Sequence, residues 1–201
     1  MEIKCFNSLY YFSCNTYLLI KNNHCLLIDC GIVNDELINE IKKYQFDGVI
    51  LTHKHFDHIQ DLEKLNKYFS YSIYSYDSGD NFFSSPILNC SKFMCSKPVL
   101  IKNRFISLKE GKYKIGEFDV NIIYTPGHTN DSICIVIDDN IFTGDLIFVN
   151  DNKLISFDEI TKCASYGRSD LPTSNSVEEK KSIQKIGLLM YNNKYRIYSG
   201  H

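Results

Sequence analysis

Of the six histidines in this 201-residue chain, His53, His55 and His58 fall within one hexapeptide, with Asp57 beside them. Imidazole and carboxylate groups are the usual holders of borderline divalent metals, and a metal with an open position polarises water or a carbonyl. On an extended loop alternate side chains point the same way, so His53 and His55 can address one ion while Asp57 and His58 turn toward a neighbouring one. The pattern HxHxDH therefore offers ligands for two metals from one loop. Three more donors each follow a glycine at the end of a strand-like segment: His128 in Tyr124-Thr-Pro-Gly-His, Asp145 in Phe142-Thr-Gly-Asp, and His201 in Tyr198-Ser-Gly-His. Glycine lets the chain turn sharply and lets backbone approach a crowded centre. Ligands commonly sit beyond the carboxyl ends of strands in open sheets, so these residues are expected to converge.

The elements that must position them are legible in outline. TYLLI and CLLIDCG, joined by a polar turn at Lys21-Asn-Asn23, read as a hairpin, with His24 a turn residue outside the site. Asn34 can cap a helix that buries Leu37, Ile38 and Ile41. The strand Gly48-Val-Ile-Leu delivers its end into the histidine loop. After it Ile59, Leu62, Leu65 and Phe69 share one face of a second helix that starts at the cluster. The stretch 77–97 has no clear period and reads as a long irregular connection, a candidate lid. FISLKEGKYKI, EFDVNIIYTPGH, DSICIVIDD and NIFTGDLIF read as strands. Ser176-Val-Glu-Glu179 has capping-box spacing and opens a last helix, and YRIYS is a final strand. Two similar halves of this kind predict an α/β fold, a four-layer αββα sandwich of two mixed sheets flanked by helices, in a single domain over residues 1–201.

Composition narrows the function. A net charge of −2, with 22 Lys and Arg against 24 Asp and Glu, gives no basic surface for nucleic acid or an anionic membrane, so the expected partner is a small-molecule substrate. No signal peptide or membrane-spanning run is read. The eight cysteines, Cys163 among them, are scattered singly, which predicts reduced thiols and a cytoplasmic location. The aromatic run Tyr10-Tyr-Phe12 reads as core and strand filling.

THKHFDH, TPGHT, TGD and SGH, in this order and over nearly the whole chain, resemble the metal-binding motifs of the metallo-β-lactamase superfamily. The resemblance implies that His53, His55 and His128 hold a first metal, that Asp57, His58 and His201 hold a second, and that Asp145 bridges them. It implies two divalent ions, zinc before iron or manganese. Asp29, in LLIDCG, would support the histidine loop from behind. Gly167-Arg-Ser-Asp-Leu-Pro172 is similar to the GRxD segment of the thioester-hydrolysing, glyoxalase II-like branch, which puts Arg168 and Asp170 on the substrate side or bracing a loop against each other. Pro86-Ile-Leu-Asn-Cys-Ser91 resembles a connection in short, single-domain bacterial members of that branch. Roughly a dozen extra residues separate Asp145 from the GRxD segment, and no helical domain of the kind that grips glutathione follows. The implied activity is hydrolysis of a small thioester or ester by a metal-activated water, which Asp57 orients and relieves of its proton. The alternatives within the same fold are a lactonase or phosphodiesterase, and a persulfide dioxygenase with one iron on His53, His128 and Asp145.

Overall fold

The computed structural model describes residues 1–7, 13–149, 154–155, 165–191 and 193–201. Its first six-stranded sheet runs in the order β1 (Glu2–Phe6), β2 (Thr16–Lys21), β3 (His24–Ile28), β4 (Gln45–Ile50), β5 (Ile73–Tyr76) and β6 (Ile106–Leu108). The first three strands are antiparallel neighbours, as a hairpin sequence requires, and β3 to β6 are parallel. The second six-stranded sheet is ordered β12 (Leu154–Ile155), β14 (Tyr195–Ser199), β10 (Asn140–Gly144), β9 (Ile133–Ile137), β8 (Phe118–Tyr124) and β7 (Gly111–Ile115). Here only the β10–β14 pair is parallel. A two-stranded ribbon, β11 (Ile147–Phe148) with β13 (Ser165–Tyr166), stands beside it.

Strand alternation sorts the apolar residues into three cores, and those cores define the layers. Tyr17, Leu19, Leu26 and Ile28 of the first sheet meet Phe118, Val120, Ile133, Ile135 and Phe142 of the second in the central core. Leu18, Ile20, Cys25 and Leu27 point the other way, onto α1 (Asp35–Ile41), α2 (Phe56–Ile59) and α3 (Leu62–Leu65). On the far side Cys134, Val136, Ile141 and Ile197 pack on Ile186 and Met190 of α5 (Ser176–Met190). The result is the expected αββα sandwich of two mixed sheets. Among the described residues no helix is long and apolar enough to cross a membrane.

Four local readings need correction. The segment FISLKEGKYKI is two strands in different sheets, β6 and β7. Between them Lys109 donates its N–H to the Tyr113 hydroxyl and accepts from it at its carbonyl, 2.9 and 3.0 Å, while Gly111 turns at φ +145°. NIFTGDLIF likewise ends its sheet pairing at Gly144 and resumes as the ribbon strand β11. The helix after the histidines is broken into α2 and α3. Asp61, at the break, donates its N–H to the Cys30 carbonyl and accepts the Val33 N–H at 2.7 Å, which ties it to the loop behind the site. Finally, α5 is capped by Asn175, not Ser176: its side chain accepts from Val177 and Glu178. The run 77–97 contains a 3-10 turn at Phe82–Ser84 and a short helix α4 (Ser91–Met94). Residues Tyr10-Tyr-Phe12, Cys163 and most of the insertion after Asp145 lie outside the described residues.

Candidate metal centre

Asp29 follows β3 with φ +59° and organises the loop that follows β4. Its Oδ1 accepts the Thr52 N–H at 2.8 Å, and Oδ2 accepts from the Thr52 hydroxyl at 2.7 Å and from His58 Nδ1 at 2.8 Å. The Thr52 oxygen, its proton given to Asp29, is free to accept from His53 Nδ1 at 3.2 Å. His128 Nδ1 donates to the Arg168 carbonyl at 2.9 Å. Each of these rings therefore commits Nδ1 to the protein and turns Nε2 inward. Such outer partners fix tautomer and ring orientation for a metal ligand.

The inward atoms form two groups. His55 Nδ1 lies 3.2 Å from His53 Nε2 and 2.9 Å from His128 Nε2, a spacing suited to donors around one ion with bonds of about 2.0–2.1 Å. His201 Nε2 lies 3.2 Å from Asp57 Oδ2, and His58 joins these two in a second cluster of donors within 4.8 Å of one another. Asp145 spans both: Oδ1 is 3.2 Å from His58 Nε2, and Oδ2 is 3.4 Å from His128 Nε2 and 3.6 Å from His201 Nε2. His58 Nε2 and Asp145 Oδ1 are buried and, among the described residues, make no hydrogen bond. Buried polar atoms are rarely left so, and a cation between them would satisfy both. The residues present thus fit a pair of metal ions.

Electrostatics agree for the imidazoles of the first group. Burial and the neighbouring His58 hold His53 well below the usual imidazole range, and burial with His128 pushes His55 down to about 3. Both rings are then neutral, the form that binds metal. Burial would raise Asp57 and Asp145, but the hydrogen bond from His201 and the charge of His58 reverse it for Asp57, and His58 and His128 reverse it for Asp145. Both carboxylates stay ionised.

Backbone turns bring the donors together. At Gly200 a Cβ would collide with Asp145 Oδ1 and stand 2.9 Å from His58 Cε1, and at Gly127, with φ +146°, it would strike the Glu179 backbone. The Gly127 carbonyl accepts the Asn175 N–H at 2.7 Å, so the start of α5 braces the turn that carries His128. The end of β14 is tied to the first sheet through Tyr17, whose hydroxyl donates to the Ser199 carbonyl at 2.7 Å.

The structure brings all seven donors named from the sequence together, and Asp29 lies behind them, bonded to Thr52 and His58. Arg168 forms a two-armed pair with Asp170 at 2.9 and 2.8 Å on the surface, so its link to His128 is its carbonyl. Asp170 is tied to the site through that arginine. His24 pairs with Asp47, away from the cluster. Thr52, and a buried contact between Lys54 and Asp131, were not anticipated. Cys14 also was not: it lies with Asp29 against the back of His58.

A cavity of about 270 Å³ opens over the donors, with His55, Asp57, His128, Asp145 and His201 as its floor and Phe56, Cys90, Met94, Phe148, Tyr166, Arg168 and Leu171 as its walls. Cys90 and Met94 come from the segment 77–97, held by Asn89, which donates to the Phe82 and Val99 carbonyls. A hollow of about 380 Å³ on the outer face of β7 and β8 contains none of the donors.

The sequence profile described as the metallo-beta-lactamase superfamily matches residues 9–201. A probable metallo-hydrolase of Streptococcus pyogenes is 30% identical, the match covering 93% of this chain and 78% of that one. A hydroxyacylglutathione hydrolase of Francisella tularensis subsp. novicida is 30% identical over 66% of this chain and 46% of its own length. Among solved structures, the BLEG-1 B3 metallo-beta-lactamase superposes with a TM-score of 0.83 at 24% identity, covering 100% of this chain and 91% of that one. The likeness in fold agrees with the layers described above, and the profile with the order of the donors along the chain. This chain belongs to the metallo-beta-lactamase superfamily and is a metallo-hydrolase of that family.

Proposed function

We propose that the chain hydrolyses a small thioester or ester whose acyl part is uncharged. His53, His55 and His128 would hold one ion, Asp57, His58 and His201 the other, with Asp145 between the two groups. Zinc suits this mixture of imidazole and carboxylate, which iron and manganese also accept. When bound, the pair supplies Lewis acidity and an activated water near neutral pH. The rest falls to the chain's own groups. Asp57, on the cavity floor and hydrogen-bonded through Oδ2 to His201, orients the attacking water and carries its proton toward the leaving group.

The observation that carries the reading is the apolar wall over a polar floor. Phe56, Met94, Phe148, Tyr166 and Leu171 can bury an acyl group and keep bulk water from the reacting carbonyl. Arg168 already has its charge answered by Asp170, so among the described lining residues no unpaired cation is offered to an anionic carrier. We assign the protein to the reduced cytoplasm, with a small-molecule substrate as its partner. The free thiols of Cys5, Cys14, Cys25, Cys30, Cys90, Cys95 and Cys134 support that setting.

Metal-loaded protein assayed against thioesters, esters, lactones and phosphodiesters should turn over the first two, with two metals per chain. No hydrolysis of any of them, together with one iron per chain and oxygen uptake on a persulfide, would replace this reading by the oxygenase.

A further inference from the structure

Lys54 lies between two residues of the first donor group, yet its side chain leaves that group entirely. Alternation along the extended loop sends His53 and His55 to one side and Lys54 to the other. Its ammonium meets Asp131 Oδ2 at 2.8 Å and the Tyr76 carbonyl at 2.7 Å, with the Phe105 ring centroid at 4.8 Å. The two side chains are 1% and 0% exposed. Asp131 is held in turn by the Thr129 hydroxyl, which donates to its Oδ1 at 2.7 Å. Nearby the Ile133 N–H donates to the Thr52 carbonyl at 2.9 Å.

A buried ion pair is a poor source of net stability, because desolvation consumes most of its Coulombic gain. Its placement suggests another use. His53 and His55 flank Lys54 in the first sheet's loop, and His128 sits three residues before Asp131 in the second sheet's turn. Thus the pair joins the two segments that carry all three imidazoles of the first group. Of the second group, Asp57 and His58 follow on the same loop and His201 ends the last strand, and none of the three is bonded by Lys54, whose ammonium goes to Asp131 and the Tyr76 carbonyl.

We propose that the Lys54–Asp131 pair is a positioning device for the first metal site alone. It sets the spacing of His53 and His55 against His128, and through that spacing the affinity of that site. This rests on the metal reading and goes beyond the choice of reaction, since its readout is metal binding and not turnover.

The test isolates each site in full-length protein by removing a ligand of the other, with His201→Gln leaving the first and His128→Gln leaving the second. Zinc is titrated into metal-free protein against a competing chelator, and cobalt is followed by its visible spectrum. Adding Lys54→Met or Asp131→Asn should weaken zinc about 10- to 100-fold in the His201→Gln background and alter the cobalt spectrum there. In the His128→Gln background affinity should be unchanged. Lys54→Arg, which keeps the charge, should recover part of the loss. Equal weakening of both sites would mean a general structural role and would overturn the proposal, as would unchanged affinity at the first. If the single variants do not fold, Lys54→Met/Asp131→Leu removes both charges at once. Folding of that variant with weakened first-site zinc supports the proposal, and folding with wild-type zinc affinity overturns it.

Discussion

The Asp29 carboxylate accepts from His58 Nδ1 at 2.8 Å, so the orientation of a ring in the second donor group is set by a residue at the end of a different strand. Asp29→Asn keeps a side chain that tolerates the positive φ of this position but replaces a charged acceptor with a neutral amide. Zinc affinity should fall about 10- to 100-fold, and metal-free protein should lose about 1–3 kcal/mol in urea unfolding. Wild-type zinc affinity in this variant would show that the ring is held by something else.

Asp145 reaches His58, His128 and His201 with its two oxygens. Asp145→Asn and His128→Gln should each reduce kcat/KM by at least about 100-fold. Because such residues act as a unit, the double variant should be scarcely worse than either single one. Additive losses in steady-state kinetics would instead mean independent roles.

Metal that binds only the folded chain stabilises it by mass action, by about 4 kcal/mol when free metal is a thousandfold above Kd. For a domain of this size that is roughly 10 °C in Tm. A thermal scan with chelator should show that drop, and zinc, iron and manganese added back singly should rank by recovery. A melting curve indifferent to chelator would contradict the buried, multi-donor centre.

Gly200 has no room for a side chain beside Asp145 Oδ1 and His58. In Gly200→Ala the added methyl must displace the carboxylate, and a shift of about 1 Å at reacting groups costs about 100-fold in kcat. The far-ultraviolet spectrum should stay native. An active Gly200→Ala enzyme would show that the carboxylate has slack.

Burial pushes the Cys14 and Cys134 thiols up to about 12. A raised pKa starves a thiol of its reactive anion below that value, so at pH 8 a disulfide reagent should leave both untouched in native protein while labelling the exposed Cys5. Mass spectrometry of labelled peptides, in a Cys163→Ser background, distinguishes them. Labelling of Cys14 before unfolding would mean that the loop behind His58 opens.

The seven donors could be found in the sequence because each sits in a short local pattern, whether HxHxDH or a glycine at a strand end. The sandwich was legible because Leu18 and Leu19, or Cys134 and Ile135, alternate between two cores. Lys54 and Asp131 were hidden because their partnership spans 77 residues, and a lysine among histidines reads as a solvated charge. Thr52 acts through a hydroxyl that is common in strands and signals nothing by itself. The breaks at Asp61 and at Lys109-Glu110 escaped for a similar reason. Apolar spacing continues unchanged across both, while what interrupts the helix or sends a strand to the other sheet is a hydrogen bond to a distant loop or a nearby tyrosine.

Strands β1 to β6 with their loops furnish His53, His55, Asp57 and His58, and the strands from β7 onward furnish His128, Asp145 and His201. Neither half of the molecule owns a full coordination shell. An ion at this seam would act as a rivet, gained only when the halves have docked and resisting their separation afterwards. A chain severed in the β6–β7 crossover should therefore reassemble more tightly with metal than without it.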